Sequence, residues 1–219
     1  MMVGGMRAVL FDLDGTLLDS FALITAAFRE ACRRVLGREP TEREVMDRWG
    51  QPLQARFQAL APDRVAELTR IYSACYDASF RTLARAFPGV EELLRRLRAR
   101  GLGLGVVTSK RRRSTLRDLE AFGLLGYFAT VVASEDVTRV KPAPEPVLRA
   151  LTALRADPAG SWLVGDGHLD VLAGRAAGVR TIAALWGTRE REALLAAAPD
   201  YVAASPEEVA ALVDGYSVA

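Results

Sequence analysis

Residues 7–20, RAVLFDLDGTLLDS, decide how this chain is read. The apolar run from Ala8 to Phe11 ends at Asp-Leu-Asp-Gly, which predicts a buried strand running into a tight turn. Along an extended segment residues two apart point the same way, so Asp12 and Asp14 are expected to project together while Phe11 and Leu13 face away. Two carboxylates in one small site repel, and one pKa rises unless a cation intervenes. Two solvated aspartates in a surface turn would give the same D-x-D. The apolar Leu17 and Leu18 beyond Gly15 make that alternative less suitable, because a solvated turn rarely needs apolar residues on both sides.

Working outward, similar apolar runs recur as LGLGVV (102–107), YFATVVAS (127–134), SWLVG (161–165) and VRTIAAL (179–185). Helical patterns lie between them. In PGVEELLRRLRARG, Val90, Leu93, Leu94 and Leu97 repeat at helical spacing, arginines cover the other face, and Gly101 supplies the stop. Further helices are predicted over 114–122, 144–155, 170–177, 189–197 and 206–214. This alternation predicts an α/β fold with a doubly wound parallel sheet, whose ligands bind at the carboxyl ends of the strands. Residues 20–84 break the alternation and read as helix throughout. They are expected to form a small all-helical cap domain inserted after the first strand, leaving 1–19 and 85–219 as the α/β core. In the cap, the loop DRWGQPL, with Arg48, Trp49, Gly50 and Gln51, is the best placed to select a substrate, although Trp49 also suits a cap core.

Bulk properties remove several classes. With 50% hydrophobic, 7% aromatic and 26% charged residues among 219, the composition is that of an ordinary globular protein. Lys+Arg of 29 against Asp+Glu of 27 leaves +2, so no nucleic-acid surface is expected. The one dense cluster, Lys110-Arg111-Arg112-Arg113, reads as a solvated helix start. Cys32 and Cys75 match no zinc or redox spacing and fit a reducing compartment. MMVGGM lacks the pattern of a secretory leader, and no apolar run approaches the ~18 residues of a membrane span. A cytoplasmic monomer or homodimer is therefore expected.

Three further stations carry chemistry. The strand LGLGVV ends in Thr108-Ser109, where hydroxyls and free amides can hold phosphate oxygens. Lys141 stands in RVKPAPEP, and Pro142 pushes it toward an extended conformation in a loop. SWLVGDGHLD places Asp166 just past a strand and Asp170 four residues on, one face if a helix starts there, although an aspartate there could equally cap that helix.

FDLDGTLLDS, VVTSK, the lysine before a proline-rich loop and GDGHLD occur in the order that characterises haloacid dehalogenase-like phosphohydrolases. The chain resembles that superfamily over nearly its whole length. Its helical insert is similar to the cap of the phosphoglycolate phosphatase branch, and VVTSK and DVTRVKPAPEPVLRAL resemble that branch and a related bacterial inorganic pyrophosphatase. The resemblance implies that Asp12 is the nucleophile that becomes an aspartyl-phosphate, and that Asp14 serves as acid and then base. It implies Mg²⁺ held by Asp12, Asp166 and the backbone carbonyl of Asp14, with Asp170 in support, and phosphoryl oxygens held by Thr108, Ser109 and Lys141. These hard oxygen donors suit Mg²⁺ and give no reason for zinc. The expected substrate is a small soluble phosphate, phosphoglycolate-like esters first and pyrophosphate close behind. A phosphomutase of the same fold is a further alternative. A metal-free dehalogenase is disfavoured by Asp14 and Asp166. Gly167 stands where many members carry Ser or Asn, which removes one side-chain hydrogen bond. His168, the single histidine, lies inside this motif, where a structural or solvent-facing role is expected.

Overall fold

The computed structural model describes residues 6–215, so the reading of MMVGGM falls, apart from Met6, outside the described residues. The strands are β1 (Ala8–Phe11), β2 (Leu18–Asp19), β3 (Arg85–Ala86), β4 (Gly103–Val107), β5 (Thr130–Val132), β6 (Trp162–Gly165), β7 (Arg180–Ala184) and β8 (Tyr201–Ala203). The helices are α1 (Phe21–Leu36), α2 (Glu42–Met46), α3 (Leu53–Leu60), α4 (Val65–Leu83), α5 (Val90–Ala99), α6 (Arg112–Ala121), α7 (Glu145–Leu154), α8 (His168–Ala177), α9 (Arg191–Ala196) and α10 (Pro206–Gly215). The chain divides into two compact units, one of Met1–Leu18 with Ala86–Ala219 and the other of Asp19–Arg85.

The larger unit is built on a parallel sheet in the order β5-β4-β1-β6-β7-β8. Its strands are apolar on both faces because helices cover both. Val9 and Phe11 of β1 join Leu104, Val106, Trp162 and Val164 in a core closed by α5 and α10. Ala8 and Leu10 point the other way, into a core with Val147, Leu151 and Leu154 of α7 and Ala173 of α8. Gly105 permits close packing on that second face, since a Cβ there would lie 2.8 Å from both Leu10 Cδ2 and Thr130 Cγ2. From β1 the chain winds to β4 and β5 on one side and then to β6, β7 and β8 on the other. The order therefore reverses beside β1, and in sheets of this kind ligands bind at the carboxyl ends of the strands flanking such a reversal, here β4, β1 and β6.

The smaller unit is helical. α1 packs along α4, and its core holds Phe28, Ala31, Cys32, Val35, Val45, Phe57 and Leu68. Arg56 is buried there with its guanidinium 4.7 Å from the Phe28 ring centroid and 5.1 Å from that of Trp49, while donating to the Val45 carbonyl. Trp49 also packs on Phe21 at 5.2 Å between centroids, so its ring is anchored inside this unit. Among the described residues no helix is long and apolar enough to cross a membrane.

The sheet departs from the sequence expectation at its edges. β8 has only the short YVA, too brief for its pattern to stand out. YFATVVAS contracts to three strand residues preceded by a 3₁₀ turn over Leu125–Tyr127.

Candidate active site

β1 stops at Phe11, and Asp12 to Asp14 lie in the bend beyond it. Asp12 N–H still donates to the Val164 carbonyl at 2.9 Å, which ties the start of that bend to β6. The two carboxylates do not share one cation. Asp12 Oδ1 faces Lys141 Nζ at 2.9 Å, whereas Asp14 Oδ1 accepts from Lys110 Nζ at 2.9 Å. The chain bends beyond Phe11, and each carboxylate meets a lysine of its own.

Asp12, Asp166 and Asp170 each bring a carboxylate oxygen within 4.8 Å of the others. Asp166 follows β6 and accepts from Thr16 Oγ1 at 3.0 Å. Asp170, on the first turn of α8, accepts from Lys141 Nζ at 2.6 Å and from the Gly167 N–H at 3.1 Å. It thus caps its helix and holds the lysine at once. Two glycines make this crowding possible. Gly15, at φ +87, would place a Cβ 2.1 Å from Asp166 Oδ2, and a Cβ on Gly165 would lie 2.3 Å from Asp170 Cγ. Gly167 is less constrained, with a Cβ falling 3.3 Å from Asp170 Oδ2.

Lys141 sits in the loop before α7, joined to Pro142 by a cis peptide bond, with only 3% of its side chain exposed. Its ammonium also donates to the Val107 carbonyl at 3.2 Å. Burial alone would pull its pKa down, but Asp12 and Asp170 outweigh that and hold it above the ordinary lysine value. Burial pushes Asp12 up to about 6 against the pull of Lys141, with Asp170 adding repulsion. Asp166 is raised well above the ordinary carboxylate range by burial and then by Asp12 and Asp170. One ammonium against three close carboxylates leaves the site short of positive charge. Three hard oxygen donors in this arrangement fit a divalent cation held alongside ordered waters.

Thr108 follows β4, is 6% exposed, and accepts from the Lys110 N–H at 3.2 Å through Oγ1. Ser109 Oγ is buried and makes no hydrogen bond to a described group. His168 Nδ1 lies 3.5 Å from Glu190 Oε2.

Four contributors were not legible in the sequence. The sequence places Lys110 in a solvated helix start, yet only 12% of its side chain is exposed and it points at Asp14. The arginines after it behave as expected of a surface, Arg111 pairing with Glu135 and Arg112 with Asp136. Asp118 of α6, fully buried, holds Lys110 Nζ at 2.7 Å. Trp186 donates from Nε1 to the Thr16 carbonyl at 2.9 Å, and Gly187 abuts the loop so closely that a Cβ would fall 1.9 Å from the Gly15 carbonyl oxygen. Only Lys110 carried a local signal, its position two residues after Thr108.

The chain is similar to known proteins over most of its length. The haloacid dehalogenase-like hydrolase family matches residues 9–184. A pyrophosphatase PpaX of Anoxybacillus flavithermus is 35% identical over 196 residues, covering 90% of this chain and 91% of that protein. A solved haloacid dehalogenase-like family hydrolase of Streptococcus pneumoniae is 30% identical with a TM-score of 0.81, covering 94% of this chain and 98% of that one. The structure of a predicted phosphoglycolate phosphatase of Haemophilus somnus shares the fold at a TM-score of 0.86 and 24% identity, over 94% of this chain and 97% of that one. With its sheet reversing at β1 and its aspartates gathered round Lys141 at that reversal, the chain belongs to the haloacid dehalogenase-like hydrolases.

Proposed function

We propose that the chain is a Mg²⁺-dependent phosphohydrolase of small soluble phosphates that works through an aspartyl-phosphate on Asp12. The observation that carries this reading is the ammonium of Lys141 set between Asp12 and Asp170 with Asp166 within 4.8 Å, a nucleophile, a counter-charge and a cation site in one crevice. Asp12, Asp166 and the Asp14 carbonyl would hold Mg²⁺, with Asp170 anchoring the support. When bound, Mg²⁺ supplies the charge that lets a phosphate dianion lie beside three carboxylates.

Asp12 attacks phosphorus through its free carboxylate oxygen, and the bond to the leaving oxygen breaks as the new P–O bond forms. Lys141 and the Thr108 hydroxyl hold the equatorial oxygens, where negative charge is concentrated in the transition state. Asp14 gives a proton to the departing oxygen, then takes one from the water that cleaves the aspartyl-phosphate. Each turnover so returns both aspartates to their starting states.

For the substrate, pyrophosphate is supported by the relative from Anoxybacillus flavithermus that bears the pyrophosphatase name. A phosphoglycolate-like monoester is the second reading, since the same in-line attack serves either leaving group. Phosphate release with Mg²⁺ and with EDTA, across pyrophosphate, phosphoglycolate, sugar phosphates and nucleotides, tests both. Cation-dependent release from pyrophosphate alone selects the first and release from phosphoglycolate the second. Turnover independent of the cation would overturn the proposal.

A further inference from the structure

We infer that Lys110, fixed by the buried Asp118, is a positioning residue that aims the carboxyl of Asp14 at the leaving group. This rests on the acid–base role proposed for Asp14.

The starting observation is a charge chain separate from the Lys141 group. Lys110 Nζ lies 2.9 Å from Asp14 Oδ1 and 2.7 Å from Asp118 Oδ2, bridging the nucleophile loop to α6. Asp118 exposes none of its side chain, and its other oxygen, Oδ1, accepts from Arg117 at 2.7 Å. A buried carboxylate is costly to maintain, and a single well-placed cation is enough to pair it. Arg117 already meets that need, so the second cation is not required to neutralise Asp118. What Lys110 adds is a fixed ammonium pointing at Asp14.

The backbone reinforces this aim. Lys110 N–H donates to Thr108 Oγ1, so the turn that orients the lysine also holds the hydroxyl assigned to the phosphoryl group. The group formed by Asp12, Asp166 and Asp170 does not include Asp14, whose carboxylate is bridged to Lys110 instead. Two carboxylates two residues apart thus receive separate lysines, which keeps the proton carrier distinct from the cation ligands. Proton transfer needs the carboxyl within hydrogen-bond reach of the departing oxygen, and an untethered aspartate spends little time there.

The test compares two esters, using kcat/KM so that only steps through phosphoryl transfer are read. p-Nitrophenolate departs readily as an anion, whereas the alkoxide of phosphoglycolate needs a proton. Lys110→Met is expected to lower kcat/KM for phosphoglycolate by about tenfold to a hundredfold, and for p-nitrophenyl phosphate by less than about threefold. Lys110→Arg should recover part of the loss on phosphoglycolate. Asp118→Asn, which keeps the side chain's shape, should show the same split to a smaller degree and serves if Lys110→Met folds poorly. Equal losses on both esters would reduce Lys110 to a structural role and overturn the inference. Asp14→Asn separates the two levels. A split in that variant with none in Lys110→Met refutes only the positioning role. The absence of a split in Asp14→Asn refutes the underlying acid–base assignment and the inference with it.

Discussion

Replacing Asp12 by asparagine should abolish turnover and at the same time stabilise the protein in EDTA. The sign follows from the direction in which the carboxyl is moved. Its ordinary value of 3.8 is raised to about 6 in the folded chain, chiefly by burial. The folded state therefore binds the extra proton, and stability falls as pH rises from the first value through the second. The penalty is absent below the ordinary value and fully present at neutral pH. At about 1.4 kcal/mol per pH unit the gap amounts to about 3 kcal/mol, part of which is shared with the neighbouring Asp166 and Asp170. Asparagine mimics the protonated shape without the charge, so a gain of about 2–3 kcal/mol is expected at neutral pH, or about 5–10 °C in Tm for a chain of this size. Thermal unfolding in EDTA, followed at neutral pH and at about pH 4, measures it. The gain should shrink toward zero at the lower pH. Destabilisation of Asp12→Asn at both pH values would mean that the contact with Lys141 outweighs burial and repulsion, and the electrostatic reasoning would fail.

Other consequences are open to the same methods. Wild-type protein stripped with EDTA should regain stability on addition of Mg²⁺, by about 2.7 kcal/mol at a hundredfold excess over Kd, and Asp166→Asn should remove that response. Gly187→Ala should lower both Tm and kcat/KM, because the new Cβ would meet the Gly15 carbonyl oxygen at 1.9 Å and rigid backbone must yield, whereas Gly126→Ala, with nothing within 4 Å, should be silent. In the helical unit, the hydrogen bond from Arg38 and then that from the Thr41 N–H hold Glu44 down to about 2, and Glu44 closes a capping box at the start of α2. Its contribution is present above the ordinary value of 4.5 and lost as pH falls toward about 2. Glu44→Gln should therefore cost about 0.5–1 kcal/mol at neutral pH, reduced by its partial exposure, and nothing once the wild-type carboxyl is protonated.

What was legible in the sequence divides along a physical line. Val90, Leu93, Leu94 and Leu97 announced α5 because a helix face repeats within a few residues, and RAVLF announced β1 because both faces of a parallel strand are buried. The strand ends were legible too, and Asp12, Thr108 and Asp166 stand just past them, where ligands bind in sheets of this kind. Lys110 escaped because composition places a run of four cations in solvent, and only its place two residues after Thr108 distinguishes the one that turns inward. It contacts Asp118, a residue on the next helix whose burial depends on how α6 packs. Trp186 and Gly187 escaped for the same reason, their partners Thr16 and Gly15 lying far away along the chain. Local periodicity thus reveals which elements form and where their ends fall. The pairings that aim side chains within a site arise only when those ends meet, and that is why the cation beside Asp14 appears in the fold and not in the motif.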